Sequence, residues 1–292
     1  MRTVRITIAY DGTDFVGWQR QASGVSVQGV IEDAVRALDE RAGAVIGAGR
    51  TDAGVHALGQ VATFTLANAY SPDTVLRALN ARLPDTVRVL AADEVPASFH
   101  PQFDARSKTY RYRIWNAAVL SPFERRYAWH VPDLLDLDAM RAAARLLEGE
   151  HDFAAFQGSG SEAATTVRRI FKLRIADCGS RIDFGSRIDF GLDDADCGDR
   201  IHCGVASGQA AQSAMRNPQS AILECDITGT GFLRHMVRII VGSLVDVGRR
   251  RRSPGWMAQV LASRDRTQAG QTSPAAGLFL VGVDYGSLAG DA

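Results

Sequence analysis

The segment from Gly47 to Gln60 holds the side chains best suited to chemistry. It places four glycines around a single carboxylate, Asp52, between two segments that alternate like strands. Polar side chains on a tight turn between strands are a common position for catalytic groups. Besides Asp52, the polar side chains of this turn are Arg50, Thr51 and His56. The turn indicates an active site built on one carboxylate, and its alternative interpretation is an ordinary glycine-rich hairpin.

The same turn does not fit a nucleotide-binding loop, because no third glycine follows at the required offset and no helix follows. The four cysteines form no C-x-x-C pair, which is typical of reduced thiols in a cytosolic protein. Cys197, His202 and Cys203 lie close together, but their spacing matches no common zinc site. We therefore expect no cofactor and no metal.

A second group of candidates lies on the strand predicted over Lys108–Trp115. A base taken out of an RNA stack needs an aromatic or apolar surface, with cations for its flanking phosphates, and this strand offers both. For Tyr112 we expect core packing, whereas for Tyr110 the residues alone leave core packing and base contact open. Alternation over Arg106–Trp115 places four side chains on one face, namely Arg106, Lys108, Tyr110 and Tyr112, with Arg111 and Arg113 on the other.

The helix predicted over Leu233–Val247 carries two arginines, Arg234 and Arg238, about one turn apart beside its buried stripe. In most proteins, arginines at such positions are only solvent-exposed side chains on the helix surface. A cationic side chain at the rim of a cleft can instead pair with Asp52, keep it ionised and orient it.

Length and composition indicate a folded globular protein. The chain has 292 residues, of which 46% are hydrophobic and 23% charged, enough for about two domains of ordinary size. No stretch approaches the roughly 18 apolar residues of a membrane span, so we expect a cytoplasmic protein. The net charge is zero, and only a local run, Arg249–Arg252, suggests either a solvated loop or phosphate contacts.

The predicted elements follow the order β-α-β-β-α-β twice, with one extra helix. Ser26 and Ser71 are expected to cap the two helices of the first unit, and a strand over Leu278–Asp284 ends the second. This order predicts an α+β fold of two split, ferredoxin-like or RRM-like units. Their sheets would be rich in antiparallel pairs, with helices on one face and a cleft between the units. The domains would span residues 1–105, with the Asp52 turn, and 106–292.

One segment, Asp177–Pro218, interrupts the second unit. It contains seven aspartates against four arginines, and it repeats the six residues Ser-Arg-Ile-Asp-Phe-Gly in tandem. A polar duplication between two strands is typical of a flexible loop insertion. We expect this insertion to be dispensable, because its acidity would repel a polyanionic ligand such as RNA if the insertion lay in the cleft.

The sequence also resembles the tRNA pseudouridine synthase A family. The resemblance centres on Gly49-Arg-Thr-Asp-Ala-Gly-Val-His-Ala57 and covers essentially the whole chain outside 177–218. At Ser273 the chain departs from the pattern, where alanine is expected. The further matching segments, in chain order, are Tyr10–Gln21, Ser26–Gly29, Phe99-His100, Ala105–Tyr112, His151–Phe153, Gly231–Arg238, Gly277-Leu278 and Val283–Tyr285.

The resemblance implies an isomerase that converts uridine to pseudouridine without a cofactor. It further implies tRNA positions 38, 39 and 40, in the anticodon stem-loop, as the substrate, and a homodimer as the assembly. Asp52 would be the nucleophile, paired with Arg238 rather than Arg234, while Tyr110 and Leu278 would lie near the target base. We add Arg50 and His56 as substrate-binding candidates. As RNA-binding candidates we add Arg106, Lys108, Arg234, Arg249 and Arg250.

The residues themselves leave the route of the reaction open, and they are compatible with two other functions. The carboxylate of Asp52 can add to the sugar carbon or to the uracil ring, and the residues do not decide between them. A non-catalytic RNA-binding protein would use Asp52 only as a turn residue. A nucleoside hydrolase would share the carboxylate but would not need the cations around Tyr110.

Overall fold

The computed structural model describes residues 1–160, 163–178 and 222–286. In this part of the chain, strands form a single ten-stranded sheet. The strands are β1 (Arg2–Tyr10), β2 (Ile46–Gly47), β3 (His56–Leu66), β4 (Val87–Val95), β5 (Ser107–Trp115), β6 (Trp129–His130), β7 (Gly149–Asp152), β8 (Val167–Asp177), β9 (Ile222–Gly229) and β10 (Leu278–Asp284). The α-helices are α1 (Val27–Leu38), α2 (Pro72–Asn80), α3 (Leu137–Arg145), α4 (Met236–Gly248) and α5 (Trp256–Ser263).

The strand order across the sheet is β4-β1-β3-β10-β5-β9-β8-β7, with β2 paired to β3 and β6 to β5. The pairs β3–β10 and β5–β6 are parallel, and the other pairs are antiparallel. The predicted α+β fold, rich in antiparallel pairs, is thereby confirmed. The prediction gave each unit its own sheet, and the structure joins them into one, because the last strand, β10, inserts between β3 and β5.

One face of this sheet is apolar and carries the helices. The core on this face runs without a break from the first half of the chain to the second, and α4 lies within it. The opposite face carries ion pairs such as Arg5–Asp93 and Arg111–Asp226. A row of buried side chains crosses the apolar face from strand to strand through Tyr10, Ala57, Leu280, Tyr110, Ile227 and Leu173.

Most predicted elements lie close to their predicted bounds. The hydroxyls of Ser26 and Ser71 accept from backbone N–H groups in the first turns of α1 and α2, and β10 has its predicted bounds. The helix expected from Leu233 begins instead at Met236, because His235 adopts a left-handed backbone with φ 60°. The two-residue β6 and four-residue β7 were not predicted, since such short segments show too little periodicity.

Two predictions lie outside the described residues. These are the cysteine and histidine group near residue 200 and nearly all of the insertion at 177–218. Within the described ranges, no group of three or more metal-ligating side chains occurs. No helix there is long and apolar enough to cross a membrane. The division of the chain near residue 105 stays a prediction.

Candidate active site

Asp52 lies in the loop that joins β2 to β3, and hydrogen bonds fix the first part of this loop. The Ala48 N–H donates to the Val61 carbonyl at 2.8 Å. The side-chain amide of Gln60 donates to the Gly49 carbonyl at 2.9 Å. Both partners lie on β3, so the loop is tied to the strand that follows it.

The segment after β1 closes over the same loop. The Trp18 N–H donates to the Thr51 carbonyl at 3.0 Å, and the hydroxyls of Thr51 and Tyr10 lie 2.8 Å apart. Gly17 has φ 113°, and a Cβ at this position would lie 2.7 Å from the Thr51 carbonyl oxygen, so only glycine fits. These contacts explain why the motif after β1 accompanies the glycine-rich turn.

The carboxylate of Asp52 meets Arg238 from the first turn of α4. The Arg238 Nη1 lies 3.5 Å from Asp52 Oδ2, and the guanidinium also donates from Nε to the Ser273 carbonyl at 2.7 Å. The Arg238 side chain is 16% exposed and that of Asp52 is 32% exposed, so the pair is partly shielded from water. The structure brings Arg238 to Asp52, as expected, whereas Arg234 is exposed and donates to the carbonyls of Ser159 and Gly160.

A second side chain at the carboxylate, His235, carried no predicted role. Its Nε2 lies 3.4 Å from Asp52 Oδ2. Burial lowers the pKa of His235, while the charge of Asp52 acts in the opposite direction. The signal for this contact was available, because His235 lies three residues before Arg238 in the matching segment. Periodicity favours a continuous helix through residue 235 and gives no sign of the left-handed backbone found there.

Aromatic and apolar side chains lie beside this carboxylate on the helix-covered face. Tyr110 is 8% exposed and meets Phe232 edge to face, with ring centroids 5.1 Å apart. Burial raises the pKa of the Tyr110 hydroxyl, and the charge of nearby Asp52 adds to this effect. Leu278 lies opposite Tyr112 and therefore diagonal to Tyr110 on the same face. Tyr110, with Phe232 against it and Leu278 diagonal to it, forms an apolar surface near Asp52.

Tyr112 and His56 are both structural in this fold. Tyr112 is fully buried and donates to the Pro274 carbonyl at 2.7 Å, which confirms the expected core position. His56 is 1% exposed, with Nδ1 accepting from the Gly12 N–H and Nε2 within 3.0 Å of the Arg126 carbonyl oxygen. Burial also lowers the pKa of His56. The structure therefore places His56 in the core, where it ties segments together, rather than at an exposed position suited to substrate.

The predicted RNA-binding side chains fall into two groups, and the first lies close to the loop. The ammonium of Lys108 donates to the Ala48 carbonyl at 2.6 Å. Burial lowers the pKa of Lys108, and the charge of Arg168 lowers it further. Arg50, on the loop, and Arg106, just before β5, are exposed. In the described part of the chain Lys108 has no carboxylate partner, so its charge is available to an anion.

The second group lies at the other end of α4. Arg249 lies 2.8 Å from Asp133, and Arg250 lies 3.1 Å from Asp136, which caps α3. At 1.5 Å per residue, Arg249 is about 16 Å along the helix from Arg238. The structure does not bring these arginines to the Asp52 loop, and it gives both of them carboxylate partners. Their contact with RNA stays a prediction.

Comparison with known proteins assigns the family. Residues 6–104 and 143–286 match the family model described as tRNA pseudouridine synthase. A tRNA pseudouridine synthase A from Pelobacter propionicus is 41% identical over 286 residues, covering 98% of this chain and 100% of that protein. Proteins of the same name from Syntrophotalea carbinolica and Solibacter usitatus are each 40% identical, covering 98% of this chain and 97% and 100% of their own lengths. The chain belongs to the tRNA pseudouridine synthase family and is an isomerase.

Proposed function

We propose that this chain converts uridine to pseudouridine at positions 38, 39 and 40 of tRNA, with Asp52 as the nucleophile. The observation that carries the proposal is the position of the carboxylate. Asp52 lies 3.5 Å from Arg238 on a loop that is hydrogen-bonded to β3 and to the segment after β1, beside the partly enclosed apolar surface of Tyr110 and Leu278. The substrate positions rest on the resemblance of the chain to its family.

The reaction breaks the bond from uracil N1 to the sugar C1′ and forms a bond from uracil C5 to the same carbon. The proton on C5 leaves and N1 gains one, so atoms and electrons balance without an oxidant or an energy source. The carboxylate of Asp52 serves by either route. It can add to C1′, which develops oxocarbenium character as the base departs, or it can add to the uracil ring and leave again.

The surroundings of Asp52 suit this chemistry because they limit the access of water. A detached base must rejoin the sugar before water reaches C1′, otherwise the reaction ends as hydrolysis. Tyr110 and Leu278 are 8% and 5% exposed, and Phe232 packs against the tyrosine ring. In the proposed complex the target base lies on this apolar surface, extruded from the RNA stack.

We assign the binding of tRNA to the basic side chains. The charge of Arg168 acts on Lys108, and the two side chains lie near Gly231 and Gly49 respectively. We assign them to phosphates next to the target nucleotide, together with the exposed Arg50. Arg106 and Arg234 are further candidates, as are Arg249 and Arg250. The cytoplasmic location and the homodimer implied by the resemblance stay predictions, and sedimentation in solution tests the dimer.

The experiment that tests this function is pseudouridine mapping on an unmodified tRNA transcript. Carbodiimide labelling followed by primer extension should show new stops at positions 38, 39 and 40 wherever uridine is present. Replacing each uridine in turn by cytidine should remove only its own stop. Binding of tRNA without any stop would favour the non-catalytic RNA-binding protein, and uracil released from free nucleosides would favour the hydrolase.

A further inference from the structure

His235 precedes α4 with a backbone that side chains rarely adopt. Its φ and ψ of 60° and 2° lie in the left-handed region, which histidine tolerates better than most residues other than glycine, asparagine and aspartate. It occupies the N-cap position of α4 but forms no capping hydrogen bond with its side chain. The backbone therefore presents the imidazole to Asp52 instead of to the free N–H groups of the helix.

The ring of His235 is confined on its other side. A Cβ at Gly158 would lie 2.6 Å from Nδ1 of this ring, which is closer than real contacts allow. The Gly158 N–H donates to the Arg234 carbonyl at 2.8 Å, so the backbone cannot retreat without losing that bond. Glycine at 158 is thus required for the ring to reach Asp52.

Both contacts of the carboxylate fall on one oxygen. The Nε2 of His235 and the Nη1 of Arg238 lie 3.4 and 3.5 Å from Asp52 Oδ2. Among the described residues, every hydrogen bond and ion pair of this carboxylate uses Oδ2, which leaves Oδ1 available to substrate. Such distances are typical of a catalytic contact that shortens when substrate binds.

The charges around His235 favour a neutral ring. Burial lowers its pKa, Asp52 raises it, and the arginines at 238, 234 and 266 lower it again. A neutral imidazole has one N–H, which must be on Nε2 for the ring to donate to Asp52. The ring then orients the carboxylate without adding a second positive charge that would reduce its nucleophilicity.

We propose that His235 is a positioning residue for Asp52, which together with Arg238 fixes Oδ2 and so selects Oδ1 as the oxygen that reacts. This inference rests on the proposed function, because it needs Asp52 to act in the reaction. It concerns the chemical step, since His235 holds the carboxylate and the tRNA is bound by other side chains.

The test compares two amides of different length at position 235. The longer amide in His235→Gln can place its nitrogen where Nε2 lies, whereas the side chain in His235→Asn suits the left-handed backbone but is too short to reach Oδ2. The measurements are the single-turnover rate of tritium release from tRNA labelled at uracil C5, and the Kd for the same tRNA. His130→Asn is the matched control, because that ring forms a hydrogen bond only to the Ala117 carbonyl among the described residues.

We expect His235→Asn to slow the single-turnover rate about 10- to 100-fold, the effect of losing one hydrogen bond to a charged group, with Kd changed less than about twofold. His235→Gln should stay within about fivefold of wild type, and Gly158→Ala, which displaces the ring, should resemble His235→Asn. Equal rates for the Asn variant and wild type, or equal losses for Asn and Gln, would overturn the inference. Either result would leave the proposed function intact as long as wild type forms pseudouridine and Asp52→Asn does not.

Discussion

Replacing Lys108 by methionine should weaken tRNA binding in a way that depends on salt. Lys108→Met removes a charge but keeps much of the packing of the long side chain. In the described residues the ammonium donates to the Ala48 carbonyl at 2.6 Å and has no carboxylate partner. A phosphate therefore does not have to displace an existing ion pair in order to bind it.

The magnitude follows from the position of Lys108. A lysine and a phosphate about 4 Å apart gain about 4 kcal/mol at an effective dielectric constant of about 20. Desolvation and side-chain ordering offset much of this gain, so that about 1 to 2 kcal/mol of favourable binding energy remains. Losing this contribution in Lys108→Met raises the Kd about 5- to 30-fold. The loss of one phosphate contact should also make the slope of log K against log salt less steep, by about 0.7 to 0.9.

The pH dependence of binding has a definite sign. Burial and the charge of Arg168 lower the pKa of Lys108 below its ordinary value. At pH values between the lowered pKa and the ordinary one, the Lys108 ammonium of the folded protein has lost its proton, whereas an exposed lysine is still protonated. Wild-type affinity should therefore fall as pH rises into that window, and Lys108→Arg should show no such fall, because arginine stays charged.

Filter binding of tRNA between about 0.05 and 0.2 M salt measures these effects. Lys172→Met is the matched control, because Lys172 is the only other lysine in the sequence and lies exposed on β8. Its salt slope should equal that of wild type. Superimposable salt slopes for wild type and Lys108→Met would refute the assignment of a phosphate to this side chain.

Three further predictions concern the site and the fold. Arg238→Lys keeps the charge but has one nitrogen for two partners, so pseudouridine formation should slow at least about 10-fold and thermal unfolding should show a loss of about 1 kcal/mol. Tyr110→Phe should retain most of the activity and Tyr110→Ala little, measured as single-turnover rates, because the ring surface and not the hydroxyl supports the base. Deleting residues 180–218 should preserve the circular dichroism spectrum and the activity, because the Cys178 N–H donates to the Ile222 carbonyl at 3.0 Å and a short hairpin can join β8 to β9.

Much of the fold could be predicted from local sequence patterns, such as strand alternation and capping residues. Alternation on β5 placed Tyr110 and Tyr112 on one face and Arg111 on the other. In the structure both tyrosines are buried, and Arg111 pairs with Asp226 on the opposite face. The serines before α1 and α2 cap their helices as their positions indicate. These features depend on neighbours a few residues away, so a single sequence contains the information that specifies them.

Long-range features could not be read in the same way. The parallel pairing of β10 with β3 joins residues far apart in the chain, and no local pattern distinguishes one joined sheet from two separate ones. The arginine run after α4 gave no sign of its partners, because Asp133 and Asp136 lie more than 110 residues before it. The contact between His235 and Asp52 depends on a left-handed backbone at a position where periodicity favours a continuous helix.

The central claim is that the carboxylate of Asp52 performs the reaction, and replacing it by an amide of nearly the same size tests this most directly. Single-turnover pseudouridine formation and tRNA affinity should be measured for wild type and Asp52→Asn under identical conditions. The account predicts a rate lowered by at least about 1,000-fold in Asp52→Asn, with the Kd within about threefold of wild type. Formation of pseudouridine by the folded Asn variant at a rate near that of wild type would contradict it.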